Sequence, residues 1–169
     1  MALVLTSLAR ASKVLTISTG VPTANDTVTV GASVYTAKAS VSTTANEYYY
    51  GATIAEAADN LAAVINAGPT GSGVTWGSLT VANTACYAVS DGISTVTVYA
   101  INAGAMGNNI PIAESGTHTA WASSAVFLTG GVGTLTSLLT TTLTTIRDAY
   151  QANAQVQQKL SDVLTDLAA

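Results

Sequence analysis

Glu47, Glu56, Glu114, Cys86, His118 and the run Tyr48, Tyr49, Tyr50 are the residues of this chain whose types invite chemistry. A glycosidase needs two carboxylates facing one cleft, and the three glutamates fall in segments that give no reason to converge. A Ser-His-Asp triad is not constrained by order along the chain. His118, the single histidine, would have to be its base; with Thr117 and Thr119 beside it in a turn, it reads as an exposed loop residue. Cys86, the single cysteine, excludes an intramolecular disulfide and a multi-cysteine metal site. Within the apolar run Thr84 to Val89 it reads as a buried small hydrophobe. One histidine and one distant cysteine give zinc or iron little to build on. The glycine loop Asn102 to Asn109 lacks the G-K-[ST] ending of a phosphate cradle and no helical pattern follows it. Asn25-Asp26-Thr27 matches a glycosylation acceptor, a pattern that chance supplies often. The expectation is therefore a non-enzyme with no catalytic, cofactor-binding or metal-binding residues.

The tyrosines remain. In an extended segment Tyr48 and Tyr50 lie on one face and Tyr49 on the other, an arrangement that suits an interface or a sugar-stacking patch. Trp76 and Trp121 would extend the patch in a carbohydrate-binding or adhesin module. A strand between a core and a neighbouring layer accounts for the tyrosines too, and a core accounts for both tryptophans.

These residues sit in a chain of 169, long enough for one domain with a full core and an appendage. Charged residues are 8% of it, against about 25% in an ordinary globular protein, so hydroxyls and amides must carry the surface. Lys and Glu are depleted where surfaces meet other subunits. The net charge of -4 leaves no basic patch for phosphates, which disfavours nucleic acid as a partner. No apolar run approaches the roughly 18 residues a membrane span needs. Met1 to Leu8 is apolar but has no basic region ahead of it, and reads as a retained N-terminal arm or first strand.

Along the chain, Lys13 to Ser18 reads as a strand, and Asp26 to Val30 with Val34 to Lys38 as a hairpin, Val28 and Val30 pointing inward and Thr27 and Thr29 outward. A polar linker, Ala39 to Asn46, precedes the tyrosines. Thr53 followed by Glu56 forms a capping box for a helix of about residues 54–67, which Gly68-Pro69 stops; Asp59, Asn60 and Asn66 read as its solvent side or its end. Val74 to Trp76 is a short strand, and Asp91-Gly92 joins two longer ones, Thr84 to Ser90 and Ile93 to Ile101, as a hairpin. Ile110 to Ile112 is an edge-like strand, Trp121 to Leu128 is extended, and Gly130, Gly131 and Gly133 close the domain.

Beyond them, Leu139, Leu143, Ile146, Tyr150, Asn153, Gln157, Leu160, Leu164 and Leu167 recur at alternating steps of four and three, the repeat of a coiled-coil seam. The two amides sit mid-seam, where they would fix register. Thr140 to Thr145 weaken its first third, so the firm coiled coil is expected from about Ile146 onward. The fold class expected is α+β: an arm at 1–12, a β-rich domain with one packed helix at 13–131, and a long oligomerisation helix at 134–169.

The segments DTVTVGASVYTAK, GATIAEAADNLAAVINA, VTVYAINAGAMGNNIPIAES and FLTGG, in that order, resemble a β-rich domain recurrent in structural proteins of tailed-bacteriophage virions, variously head decoration, neck or tail proteins. The resemblance covers about Lys13 to Gly131, and what recurs is structural, so no catalytic residue is carried over. It implies a virion protein, assembled in the host cytoplasm, with major capsid or neck proteins as partners; the stripe from Leu139 to Leu167 adds other copies of the chain, expected as a trimer.

Overall fold

A computed structural model describes residues 8–68, 70–122, 126–133, 135–149 and 154–168. In order the elements are β1 (Arg10–Ile17), β2 (Thr27–Val30), β3 (Ser33–Lys38), β4 (Glu47–Tyr49), α1 (Ile54–Asn66), β5 (Cys86–Ser90) and β6 (Thr95–Ala103). A 3-10 turn (Ala105–Asn109), β7 (Ile112–Glu114), β8 (Thr119–Trp121), α2 (Leu135–Ala149) and α3 (Ala154–Ala168) follow. They form two four-stranded sheets, in the orders β5-β6-β1-β8 and β4-β3-β2-β7.

Period-two alternation decides the inner faces. Val28 and Val30 of β2, Tyr35 and Ala37 of β3, and Val96, Val98 and Ala100 of β6 are buried. The threonines between them, Thr27, Thr29, Thr95 and Thr97, stay half-exposed. α1 packs against the edge strands β4 and β5 and reaches β1, β3 and β6, while β7 meets β8 on the opposite side. Its buried side is Ala57, Ala58, Leu61, Ala62, Val64 and Ile65; the alanines bring its backbone close to the sheets. Thr53 Oγ1 accepts the Glu56 N–H at 3.2 Å, as the capping box predicts. Glu56 reaches back one residue further than expected, accepting from Ala52 N at 2.6 Å. The hairpins β2–β3 and β5–β6 are both formed. At the second, Asp91 Oδ1 accepts from the N–H groups of Ile93, Ser94 and Thr95, all at 2.8–2.9 Å. Those bonds favour the ionised carboxylate and hold it well below its ordinary pKa.

Amide side chains close the places where backbone would otherwise be left unpaired. Asn66 donates to Ala88 O at 2.7 Å and accepts from Ala88 N at 2.9 Å, standing in for a strand beside the edge of β5. Asn60 donates to Tyr49 O at 2.8 Å on the edge of β4. Both were expected to serve solvent or the helix end; each ties a sheet edge to α1 instead. Asn83, buried, donates to Val30 O and Tyr35 Oη and accepts from Ala85 N and Cys86 N.

Residues 126–133 form a strap between the sheets. Ser12 and Thr129 exchange backbone hydrogen bonds at 2.8 and 3.2 Å. Ile112 N donates to Val126 O at 2.9 Å, Leu128 N donates to Ile110 O at 3.0 Å, and Leu128 itself is buried. Asn108 pairs with both backbone groups of Gly131. A Cβ at Gly131 would overlap the Gly104 carbonyl oxygen, so the strap fits only with glycine there.

The expected long C-terminal coiled-coil helix is not what the chain forms. Two 15-residue helices, α2 and α3, pack against each other. Gln157 Nε2 donates to Arg147 O. In one continuous helix those residues would stand about 15 Å apart, so the bond requires the chain to turn back. The amide placed mid-seam by the heptad count thus satisfies a carbonyl at the end of α2, a group with no partner inside its own helix. An amphipathic stripe needs an apolar cover and is indifferent to its source; here α3 supplies part of the cover for α2. The threonines add to this: Thr145 Oγ1 donates to Thr141 O at 2.9 Å, a back-bond that weakens and bends helices.

Candidate functional site

The residues singled out for chemistry stay apart. Glu47 and Glu114 lie on β4 and β7, the two edges of one sheet. Three inter-strand steps separate them by about 14 Å, beyond the roughly 9.5 Å limit for a carboxylate pair in a glycosidase. Their faces differ too, Glu47 being in register with outward Thr36 and Glu114 with buried Val28. Glu47 accepts from Ser42 Oγ at 2.7 Å and lies 3.7 Å from Lys38 Nζ, while Glu56 is committed to its helix cap. His118 is half-buried rather than exposed, its ring packed on Gly20 and its Nδ1 3.1 Å from Thr19 Oγ1. Cys86 is buried as expected, and burial pushes its thiol up to about 11. The glycine loop is a packing element: Gly107 rests against the methyl groups of Ala11 and Ala100. Among the described residues no three His, Cys, Asp or Glu side chains are grouped to hold a metal ion, and no helix is long and apolar enough to cross a membrane.

The tyrosines divide. Tyr48 points inward and is 0% exposed, its hydroxyl pushed up from the ordinary tyrosine range, chiefly by desolvation. Tyr49 and Tyr50 are half-exposed and stack at 5.9 Å between ring centroids, 27° apart. Trp76 and Trp121 are buried and present no surface to a sugar.

Beside Tyr49 lies an open cleft of about 360 Å³, lined by Ala39, Ser40, Val41, Tyr49, Gly73 and Val74. One wall is the loop leaving β3, the other the loop after α1. Both are tied to β4: Tyr49 N donates to Thr75 O at 2.8 Å, Tyr50 N to Lys38 O at 3.1 Å, and Gly77 N to Glu47 O at 2.9 Å. The loops also hold each other, through Ser78 N to Ser42 O and Leu79 N to Thr43 O, both 3.3 Å. They pass so close that a Cβ at Gly77 would overlap the Thr44 carbonyl oxygen. Sequence reasoning found Tyr49 but not the cleft, since its walls come from two loops over 30 residues apart in the chain.

A second aromatic pair, Tyr87 and Tyr99, stacks at 5.1 Å on the outer face of the other sheet, with the Arg10 guanidinium 5.9 Å from the Tyr87 ring centre. Counting outward from a two-residue Asp91-Gly92 turn would have set Tyr87 opposite Val96 and missed the pair; the loop between the paired Ser90 and Val96 spans residues 91–95, which moves Tyr99 opposite Tyr87.

The expected oligomerisation stripe is only partly covered. Leu143, Ile146, Gln157, Leu160 and Leu164 are half-buried, while Leu139 is 40% exposed. Leu167 lies within α3; Tyr150 and Asn153 lie outside the described residues.

Compared with protein-family models, with curated proteins and with solved structures, the chain matches none.

Proposed function

We propose that this chain is a non-enzymatic structural protein of a tailed-bacteriophage virion, a homo-oligomeric subunit that decorates the capsid or sits in the neck. The observation that carries the reading is where the four resembling segments fall. DTVTVGASVYTAK makes the β2–β3 hairpin and GATIAEAADNLAAVINA makes α1, the helix beside both sheet edges. VTVYAINAGAMGNNIPIAES runs from β6 through the 3-10 turn to β7, and FLTGG is the strap between the sheets. Each forms part of the scaffold, and among the described residues none brings chemically active side chains together, which fits a structural rather than a catalytic role. Low charge and amide-tied edges suit a particle subunit that buries much of its surface on neighbours. Self-association is assigned to the stripe that α2 and α3 leave half-covered, from Leu139 to Leu164, with a trimer as the first state to test. Linked copies on a lattice of matching symmetry turn weak contacts with capsid or neck proteins into a tight one.

Mass spectrometry of purified virions tests the location: the chain should co-purify in stoichiometric amounts, and its absence would sink the particle reading. Light scattering on the full chain tests the oligomer, which a monomer mass would exclude. A carbohydrate-binding or adhesin-type fibre or tail module is the second reading. With Tyr48, Trp76 and Trp121 buried, it rests on Tyr49 and Tyr50 and the cleft beside them.

A further inference from the structure

We propose that the cleft beside Tyr49 is a binding site for a neutral saccharide, with the Tyr49 ring as its stacking wall. At about 360 Å³ it is a shallow cleft, open along one side, which suits a sugar ring laid against one wall rather than an enclosed ligand. What lines it narrows the ligand class by elimination. None of the lining residues is basic, and the two charged residues that share the outer face with Tyr49, Lys38 and Glu47, stand 3.7 Å apart and offset each other. An anion or a nucleic acid backbone gains nothing here. A purely apolar ligand would find Val41 and Val74 as the only large aliphatic side chains in the lining. A peptide strand would need a free row of backbone groups, but the Thr75 carbonyl already takes the Tyr49 N–H and Trp76 already bridges Tyr48.

A sugar ring fits what remains. Its C–H face stacks on an aromatic ring that is itself part apolar and part polar, and its hydroxyls need donors and acceptors at short range. Ser40 supplies a hydroxyl in the lining, and Lys38, on the strand next to Tyr49, donates its Nζ to Asn25 Oδ1 in the turn before β2 at 2.8 Å. The walls are fixed before any ligand arrives, by the loop-to-β4 and loop-to-loop hydrogen bonds and by the close crossing at Gly77. A preformed site avoids the ordering cost that makes loop-borne sites weak. Val74, 77% exposed at the rim, offers a ligand an apolar lip that water alone does not favour.

The site does not depend on the particle assignment: a chain absent from virions can still bind a sugar, and a virion subunit can fail to. The test is ligand-observed saturation-transfer NMR on the full chain with glucose, galactose, mannose, N-acetylglucosamine and their common disaccharides. At least one should receive saturation. Tyr49→Ala should weaken that binding about tenfold or more, one aromatic contact with its share of burial. Tyr49→Phe should retain it, Ser40→Trp should abolish it by filling the cleft from the opposite wall, and Tyr87→Ala on the other sheet should leave it unchanged. Circular dichroism and the melting temperature check that each variant folds. No transfer from any of these sugars overturns the proposal, as does binding undiminished in both Tyr49→Ala and Ser40→Trp.

Discussion

In the β domain the inward residues Val28, Val30, Val96 and Val98 are covered almost completely; in the helix pair Leu143, Ile146, Leu160 and Leu164 are covered only by half. Both regions follow an amphipathic pattern, so pattern alone does not explain the difference. Two sheets with a helix across their edges enclose an interior, whereas two helices can shield each other on one side only. The β domain also has tertiary hydrogen bonds at each seam, through Asn60, Asn66, Asn83 and Asn108. For the helix pair, Gln157 to Arg147 is the corresponding tie. The interior of the β domain is thus closed, although its loops and outer faces leave Val74, Leu79, Val81, Ile93 and Met106 exposed; the helix pair has no such enclosed interior among its described residues.

Substitutions should expose this contrast in order of size. Leu61→Ala, on the buried side of α1 at 0% exposure, should cost roughly 3 kcal/mol, within the range for a buried leucine, read as a lower urea midpoint at unchanged slope. Asn83→Ala should cost about 2 kcal/mol by stranding Val30 O and the amides of Ala85 and Cys86 in the interior. A loss below about 0.5 kcal/mol would mean that water reaches those groups and that the amide ties are not what closes the domain. Leu143→Ala in α2 should cost about 1 kcal/mol or less, since half-burial halves the transfer contribution. Its effect should appear in amide exchange of the helix pair and leave the exchange of β6 unchanged; slowing or speeding in both would mean the regions unfold as one.

The smallest effect is a pH dependence. Because Asp91 is held below its ordinary pKa of 3.8 by three backbone amides, its contribution to stability is complete above about pH 4. It is lost as pH falls through the folded-state value. Asp91→Asn should lower stability at pH 7 and flatten the acid limb of a stability-against-pH curve. An acid limb identical to that of the parent chain would remove Asp91 from the account.

What the sequence made legible was local. Thr53, Glu56 and the apolar spacing from Ile54 to Ile65 define α1 without reference to anything distant, and Asp91-Gly92 marks a hairpin in the same way, although the loop takes residues 91–95 and shifts the register from that of a two-residue turn. What it hid was non-local. An asparagine on a helix reads as a solvent residue by polarity, and only the arrival of β5 alongside makes Asn66 a strand mimic. The heptad count failed for the same reason: spacing says that Leu139 to Leu164 need a cover, not that the chain turns back to provide part of it. Of the candidate site, Tyr49 could be named in advance, but the loops that frame it meet only through folding.

The asparagine ties also make the fold sensitive to one chemical change. Spontaneous loss of the side-chain nitrogen turns an amide into a carboxylate, and at Asn83 that would replace the N–H facing Val30 O and Tyr35 Oη with another oxygen. Two acceptors, one of them charged, would then meet where a donor had joined two strands. The integrity of the folded domain is therefore tied to the chemical durability of a few amide groups that stand on α1, on the 3-10 turn and in the loop before β5.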